Sequence, residues 1–214
     1  ASWSRGLGDV YKRQGPGRLG PFIMITLQDT KIFIKNFEDH ESLNKKLSKE
    51  IIEARKNDLF AMPNSNENCW RSTYKYKCEE ELLKPINLIL AEYIKYYFKT
   101  NDMSCKILYW TNINGFGGGN LFHTHYRADC DLSGVYYIQG KDTGSIKFAT
   151  HEQMYFMIPP HMPYSKMIEH EPNDGDILLF PSYLLHEVTV NTSAKKRITA
   201  VSYTHLRAHE TKKH

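Results

Sequence analysis

The spacing of apolar positions changes character once along the chain, from a mixed strand-and-helix half to a series of short alternating segments. In IMITLQDTKIFIKNF, Ile32 and Ile34 fall on one side and Phe33 on the other, the period-two pattern of a strand. Asp39 then stands where a helix cap belongs, ahead of a stretch in which Leu43, Leu47, Ile51 and Ala54 recur at three- and four-residue steps. The Pro, Asn and Ser content of AMPNSNENCWRS reads as a loop. A second helix is expected in CEEELLKPINLILAEYIKYYFKT. Its buried stripe is Leu82, Ile86, Leu90, Ile94 and Tyr97, and Pro85 marks or kinks its first turn.

From Cys105 onward the pattern is that of strands: CKILYWTNI, LFHTHY, SGVYYIQ, GSIKFAT, MYFMIP, GDILLFPS, HEVTVNT and KRITAVSY. Turn signals separate them, among them NGFGGGN, GKDTG, PPHMP and EPNDGD. Short strands with such breaks predict a β-sandwich or barrel, and helices that precede all of them should pack on the outside of one sheet. The expected fold class is therefore mainly β with flanking N-terminal helices. Neither an internal repeat nor a linker interrupts residues 24–203, which argues for one domain.

Composition refines this picture at the ends. Residues 1–22 are rich in Gly and Arg without hydrophobic period, and YTHLRAHETKKH follows what reads as a finished strand. Both resemble translated adapter sequence, so residues 1–22 and 204–214 are expected to be non-native extensions. The first 22 residues carry +3 and the last 12 carry +2 of the net +4, leaving −1 for the segment between. The basic balance thus belongs to the ends and gives no support to nucleic-acid binding. An apolar content of 41% fits a folded chain, and no run approaches the roughly 20 residues that span a bilayer. Without a signal-peptide core at the N-terminus, a cytoplasmic location with no membrane partner is expected. Cys69, Cys78, Cys105 and Cys130 form no CxxC pair, so they are read as free thiols rather than a zinc site.

Candidate chemistry begins with His123 and His125. Side chains alternate along a strand, so the two imidazoles share a face and can share a metal ion. His186, just after an aromatic-Pro corner, is placed to approach the mouth of a barrel. Arg197, eleven residues on, shares a strand face with Thr199 and Val201, opposite Ile198 and Ala200. An arginine pointing into a barrel must find an anion, because an unpaired buried charge is costly, and its fork suits a carboxylate. Tyr137, Asn112 and Asn114 also fall where they can face such a pocket. Each of these has a plainer reading: surface histidines, an interior histidine bonded to backbone, a strand-edge arginine, a core tyrosine, turn asparagines. The glycine run in GFGGG lacks a following helix and a P-loop lysine, which rejects a phosphate cradle. His151, His161 and His170 are expected to be exposed. His205 and His209, at helical i, i+4 spacing, are set aside with the C-terminal tail.

The order HxH, SGVYY, GDxxxFPSxLxH and RxT resembles the 2-oxoglutarate/Fe(II)-dependent oxygenases. The matching residues are His123, His125, Ser133 to Tyr137, Gly175, Asp176, Phe180 to Ser182, Leu184, His186 and Arg197, within a span of roughly residues 107–203. The resemblance implies a double-stranded β-helix (a jelly-roll, cupin-like) that binds Fe(II) through His123, His125 and His186. It further implies 2-oxoglutarate as cosubstrate, with its far carboxylate on Arg197, and O2 as oxidant. Thr199, Tyr137 and Asn112 are the further cosubstrate-binding candidates. The implied reaction couples decarboxylation of 2-oxoglutarate to succinate with hydroxylation of a small-molecule or peptide substrate. His125 departs from the usual pattern, because most such enzymes have a carboxylate there. Asp129 and Asp131 are the rival carboxylates, although Asp129 would lie roughly 13 Å beyond His125 in an extended chain at ~3.3 Å per residue. The same glycine and histidine spacings also resemble the two cupin motifs. A cupin-type metalloenzyme without 2-oxoglutarate and a non-catalytic jelly-roll binding protein therefore remain as alternatives. Residues 57–72 and 115–121 are expected to choose the substrate. Oligomeric state is not legible.

Overall fold

The computed structural model describes residues 23–27, 30–58, 66–72, 76–100, 103–126, 130–150 and 167–208. The first strand pattern is a hairpin rather than one strand: β1 (Ile23–Leu27) pairs antiparallel with β2 (Thr30–Asn36). Helix α1 (His40–Asn57) follows, then β3 (Asn66–Ser72), α2 (Glu79–Phe98) and β4 (Met103–His123). The remaining strands are β5 (Leu132–Gln139), β6 (Ile146–Ala149), β7 (Met167–His170), β8 (Asp176–Pro181), β9 (His186–Val188) and β10 (Arg197–Ala208). No helix among the described residues is long and apolar enough to cross a membrane.

The strands form one antiparallel sheet in the order β1-β2-β8-β5-β10-β4-β9-β6-β7, with β3 pairing β4 beside this path. The sheet curls into a jelly-roll because β4 takes part in both layers. Residues 103–114 of β4 pair with β10, whereas Asn120 and His123 pair with β9. The NGFGGGN stretch, expected as a turn, is what lets this long strand continue. Gly117 takes φ +77°, and a Cβ on Gly119 would meet the Val188 carbonyl at 2.9 Å.

Strand alternation divides the sheet into two faces. Tyr136, Ile138, Ile177, Leu179, Ile198 and Ala200 face outward and pack with Phe33 and the helices. Ile32, Ile34, Tyr137, Phe148, Leu178 and Phe180 face inward. On α1, Leu47 and Ile51 are buried, while Leu43 and Ala54 lie at the margin. Along α2 the expected stripe holds at Leu82, Ile86, Leu90 and Ile94, but Tyr97 is 40% exposed, stacked with Tyr93 and Tyr96 at the helix end.

Several expectations need correction. Asp39 occupies the cap position of α1 without a side-chain cap bond. Pro85 lies past the first turn and is buried inside α2, which continues to Phe98. The expected loop before α2 includes β3, where Trp70 is buried and Cys69, Trp70 and Arg71 pair with Asn114, Ile113 and Asn112. Its polar composition hid an edge strand held by β4. β7 was not expected at all, and β10 runs on to Ala208, opposite Met103. His205 is therefore on a strand and not on a helix. His170 is half-buried and pairs with Asp176 at 3.2 Å rather than facing solvent. The expected MYFMIP strand, His151, His161, His209 and residues 1–22 lie outside the described residues.

Candidate metal centre

His123 is the last residue of β4 and His186 the first of β9, and the two are direct cross-strand partners. His125 lies just past the end of β4, not on the strand as expected, and its N–H donates to the Ser182 carbonyl at 2.8 Å. The three rings stand 4.3 to 4.8 Å apart between centroids, and one nitrogen from each lies within 4.8 Å of the other two. Among the described residues this is the one cluster of three metal-ligating side chains.

Their hydrogen bonds fix which nitrogen is available. His123 Nδ1 lies 2.6 Å from the Leu121 carbonyl, and His186 Nδ1 lies 2.7 Å from that of Leu184. A carbonyl only accepts, so each Nδ1 carries the proton and each Nε2 keeps its lone pair. His125 Nδ1 contacts the Ser133 hydroxyl at 2.6 Å, which allows the same tautomer. An outer hydrogen bond on Nδ1 is the usual support of a metal-bound imidazole. Burial pushes all three pKa values down, His125 to about 3, with the neighbouring histidine His123 acting in the same sense on His125 and His186. Three neutral imidazoles, with one nitrogen of each within 4.8 Å of the other two, fit a divalent transition metal. Asp131 is turned elsewhere, its carboxylate accepting from the Leu206 N–H at 2.7 Å, and Asp129 lies outside the described residues.

A cavity of about 250 Å³ opens beside the histidines, and its lining includes His123, His125 and His186 together with the cosubstrate candidates Arg197, Thr199, Tyr137 and Asn112. Register explains why they meet. Thr199 on β10 pairs with Asn112 on β4 and Tyr137 on β5, one inward-facing row from Arg197, itself opposite Asn114. Arg197 is 1% exposed. It donates to the Thr143 carbonyl at 2.7 Å, to that of Thr189 at 3.1 Å and to that of Gly118 at 3.4 Å. Among the described residues no carboxylate pairs with it. Burial disfavours its charge, against a smaller opposing effect of Tyr137. The Asn112 Oδ1 is buried without a hydrogen-bond partner among the described residues. Asn114, also in the wall, is engaged with Cys69 and Asn120.

Sequence reasoning missed Arg71 and Tyr203 in this wall and left Trp110 without a role. Tyr203 follows the alternation Arg197, Thr199, Val201, so its inward direction was available. Arg71 was hidden by the loop reading of β3. Of the segments expected to choose substrate, residues 115–121 belong to β4, and residues 59–65 lie outside the described part.

Residues 108–203 match the sequence profile of a family described as "Putative 2OG-Fe(II) oxygenase". No curated protein matches the chain. A prolyl-4-hydroxylase from Pseudomonas putida is similar in structure, with TM-score 0.55 and 13% identity over 94% of this chain and 100% of the other. A Trichoplax adhaerens prolyl hydroxylase, in complex with a hypoxia inducible factor peptide fragment, aligns with TM-score 0.54 and 14% identity over 84% and 85%. HygX from Streptomyces hygroscopicus, with nickel, 2-oxoglutarate and hygromycin B bound, gives TM-score 0.56 and 9% identity over 82% and 83%. At such identities these likenesses bear on the fold, which is the jelly-roll expected. The matched residues 108–203 hold the three histidines, Tyr137, Arg197 and Thr199, so the likeness of this chain to the "Putative 2OG-Fe(II) oxygenase" family runs through the candidate metal centre itself.

Proposed function

We propose that the protein is a non-haem Fe(II) dioxygenase that couples oxidative decarboxylation of 2-oxoglutarate with hydroxylation of a small-molecule or peptide substrate. The observation that carries this reading is a fully buried arginine, without a carboxylate partner among the described residues, in the same cavity as three convergent neutral histidines. A buried cation facing only carbonyls is costly until an anion arrives. The far carboxylate of a 2-oxo diacid is such an anion, and its other end is a metal chelator.

In this reading His123, His125 and His186 hold the metal through Nε2, with the Leu121 and Leu184 carbonyls and Ser133 fixing the rings. Arg197 binds the far carboxylate by its guanidinium edge, and the Thr199 and Tyr137 hydroxyls stand beside it as further donors. Burial raises the Tyr137 phenol pKa, so it remains a donor at neutral pH. The Asn112 amide, unsatisfied at Oδ1, faces the same row and completes the polar lining. When bound, Fe(II), 2-oxoglutarate and O2 supply the oxidation, one oxygen atom entering succinate as carbon dioxide leaves and the other entering a substrate C–H bond. The chain contributes position, charge and exclusion of water. Relatives of this fold are bound to a peptide in one case and to hygromycin B in another, which is compatible with either substrate class.

The cupin-type alternative gives Arg197 no ligand, and a non-catalytic jelly-roll gives the histidines none. Succinate release from 2-oxoglutarate, measured with Fe(II), O2 and ascorbate but no substrate, tests the proposal. Slow metal-dependent succinate formation is expected, abolished in Arg197→Ala. Its absence in the parent protein would count against the oxygenase assignment.

A further inference from the structure

Separate segments of the chain hold the Arg197 guanidinium. Its Nη1 donates to the Thr143 carbonyl at 2.7 Å, and its Nη2 donates to the carbonyls of Thr189 at 3.1 Å and Gly118 at 3.4 Å. Gly118 lies within β4, Thr143 in the turn between β5 and β6, and Thr189 immediately after β9. The position of the guanidinium therefore depends on how that turn meets the end of β9.

The meeting is closely specified. At the start of the turn the Gly140 and Lys141 N–H groups donate to the Asp174 carboxylate at 2.7 and 3.0 Å. At its end the Ser145 N–H donates to the Thr189 hydroxyl at 2.8 Å, and the Thr189 N–H donates back to the Ser145 carbonyl at 2.9 Å. Between these anchors Gly144 takes φ +94°, a conformation open to glycine and strained for other residues. A Cβ there would stand 2.7 Å from the Thr189 hydroxyl, 3.1 Å from Arg197 Nη1 and 3.3 Å from the Thr189 carbonyl. Gly144 is nevertheless an exposed residue. What a side chain at this position would crowd is the guanidinium and one of its acceptors, not an apolar core.

These contacts bear on ligand binding through the geometry of the guanidinium fork. A carboxylate accepts two parallel N–H bonds only when the fork is aimed at it. A misplacement of about 1 Å costs roughly 100-fold where function depends on position. Holding the fork in place before the ligand arrives also removes the cost of ordering a long side chain from the binding step.

We propose that Gly144 and Thr189 are positioning residues, which together set the Arg197 guanidinium where it receives the far carboxylate of the cosubstrate. The word cosubstrate rests on the oxygenase reading; the placement of the guanidinium does not.

The test compares two chelating acids on the full chain, loaded anaerobically with Fe(II): 2-oxoglutarate, and 2-oxobutyrate, which keeps the chelating end but lacks the far carboxylate. Each is titrated through its visible chelate band. In Gly144→Ala, 2-oxoglutarate should bind about tenfold more weakly, while 2-oxobutyrate stays within about twofold of the parent. Thr189→Val removes the hydroxyl that ties the turn to β9 and adds no backbone strain at Gly144. It should give the same one-sided loss, and it is the deciding variant if Gly144→Ala does not fold. Equal weakening of both acids would mean a general loosening of the site and would overturn the proposal, as would unchanged selectivity. Should the parent protein form no band with either acid, the oxygenase reading fails separately. The placement is then read by nuclear magnetic resonance on the metal-free chain with isotope-labelled arginine, the Arg197 signal being assigned by its loss in Arg197→Lys. Slowly exchanging Nη protons are expected in the parent and faster exchange in both variants; equal exchange in all of them overturns the proposal.

Discussion

His123 and His186 face each other across the β4–β9 pairing, with ring centroids 4.3 Å apart and each Nδ1 tied to a backbone carbonyl two residues earlier. The pairing of two strand ends thus builds two-thirds of the histidine cluster, and the chain just beyond β4 brings His125 to complete it. The cluster is therefore as sensitive to strand register as to the identity of its side chains.

His186→Ala should reduce bound Fe(II) from stoichiometric to background while leaving the sheet folded. The residue is 3% exposed, so a loss of thermal stability from the emptied volume is also expected. Metal analysis beside circular dichroism checks both. Unchanged iron content would remove His186 from the ligand set.

Arg197→Ala should weaken 2-oxoglutarate binding by about 2–4 kcal/mol, roughly 30- to 1,000-fold, because it deletes a charged bidentate contact. Iron binding should persist, since Arg197 touches none of the histidines through its hydrogen bonds. Titration of the metal-loaded variant with the cosubstrate separates the two effects.

Gly119→Ala should loosen the metal site without touching it. The added Cβ would lie 2.9 Å from the Val188 carbonyl and would push β9, which carries His186, away from β4. Overpacking of this kind costs about 1–3 kcal/mol. Reduced thermal stability together with weaker metal affinity is expected, and unchanged metal affinity would show that β9 moves independently of its histidine.

Acid should destabilise the metal-free protein. The folded-state pKa of His125 is lowered to about 3, below its usual value, so between about 6.5 and 3 the unfolded chain binds more protons than the folded one. Stability therefore rises with pH through that window and levels off above it. For His125 alone the loss from pH 6.5 to 5 is about 1–2 kcal/mol. Denaturant melts should show this slope, and His125→Gln should flatten it. Equal slopes would mean that His125 titrates as an exposed imidazole.

Much of the site was legible in the sequence because strand alternation is a local rule. Arg197, Thr199 and Val201 against Ile198 and Ala200 already divide β10 into a polar interior row and an apolar exterior one. The same rule, carried to the last residue of that expected strand, would have added Tyr203. What stayed hidden depends on distant pairing. Cys69, Trp70 and Arg71 become a strand because β4 is there to receive them, not because their composition favours one. The glycine run suggested a turn, yet these glycines let β4 pass close to β9 and change layers. Asp131 was a rival to the three histidines in sequence, but its carboxylate closes onto the β10 backbone.

The most direct test of the central claim is an anaerobic titration of the Fe(II)-loaded protein with 2-oxoglutarate, followed by visible absorption. A saturable charge-transfer band, absent in His186→Ala and shifted to much higher cosubstrate concentration in Arg197→Ala, is the predicted result. Iron that binds without any such band would contradict the account, because the three histidines and Arg197 would then not belong to one cosubstrate site.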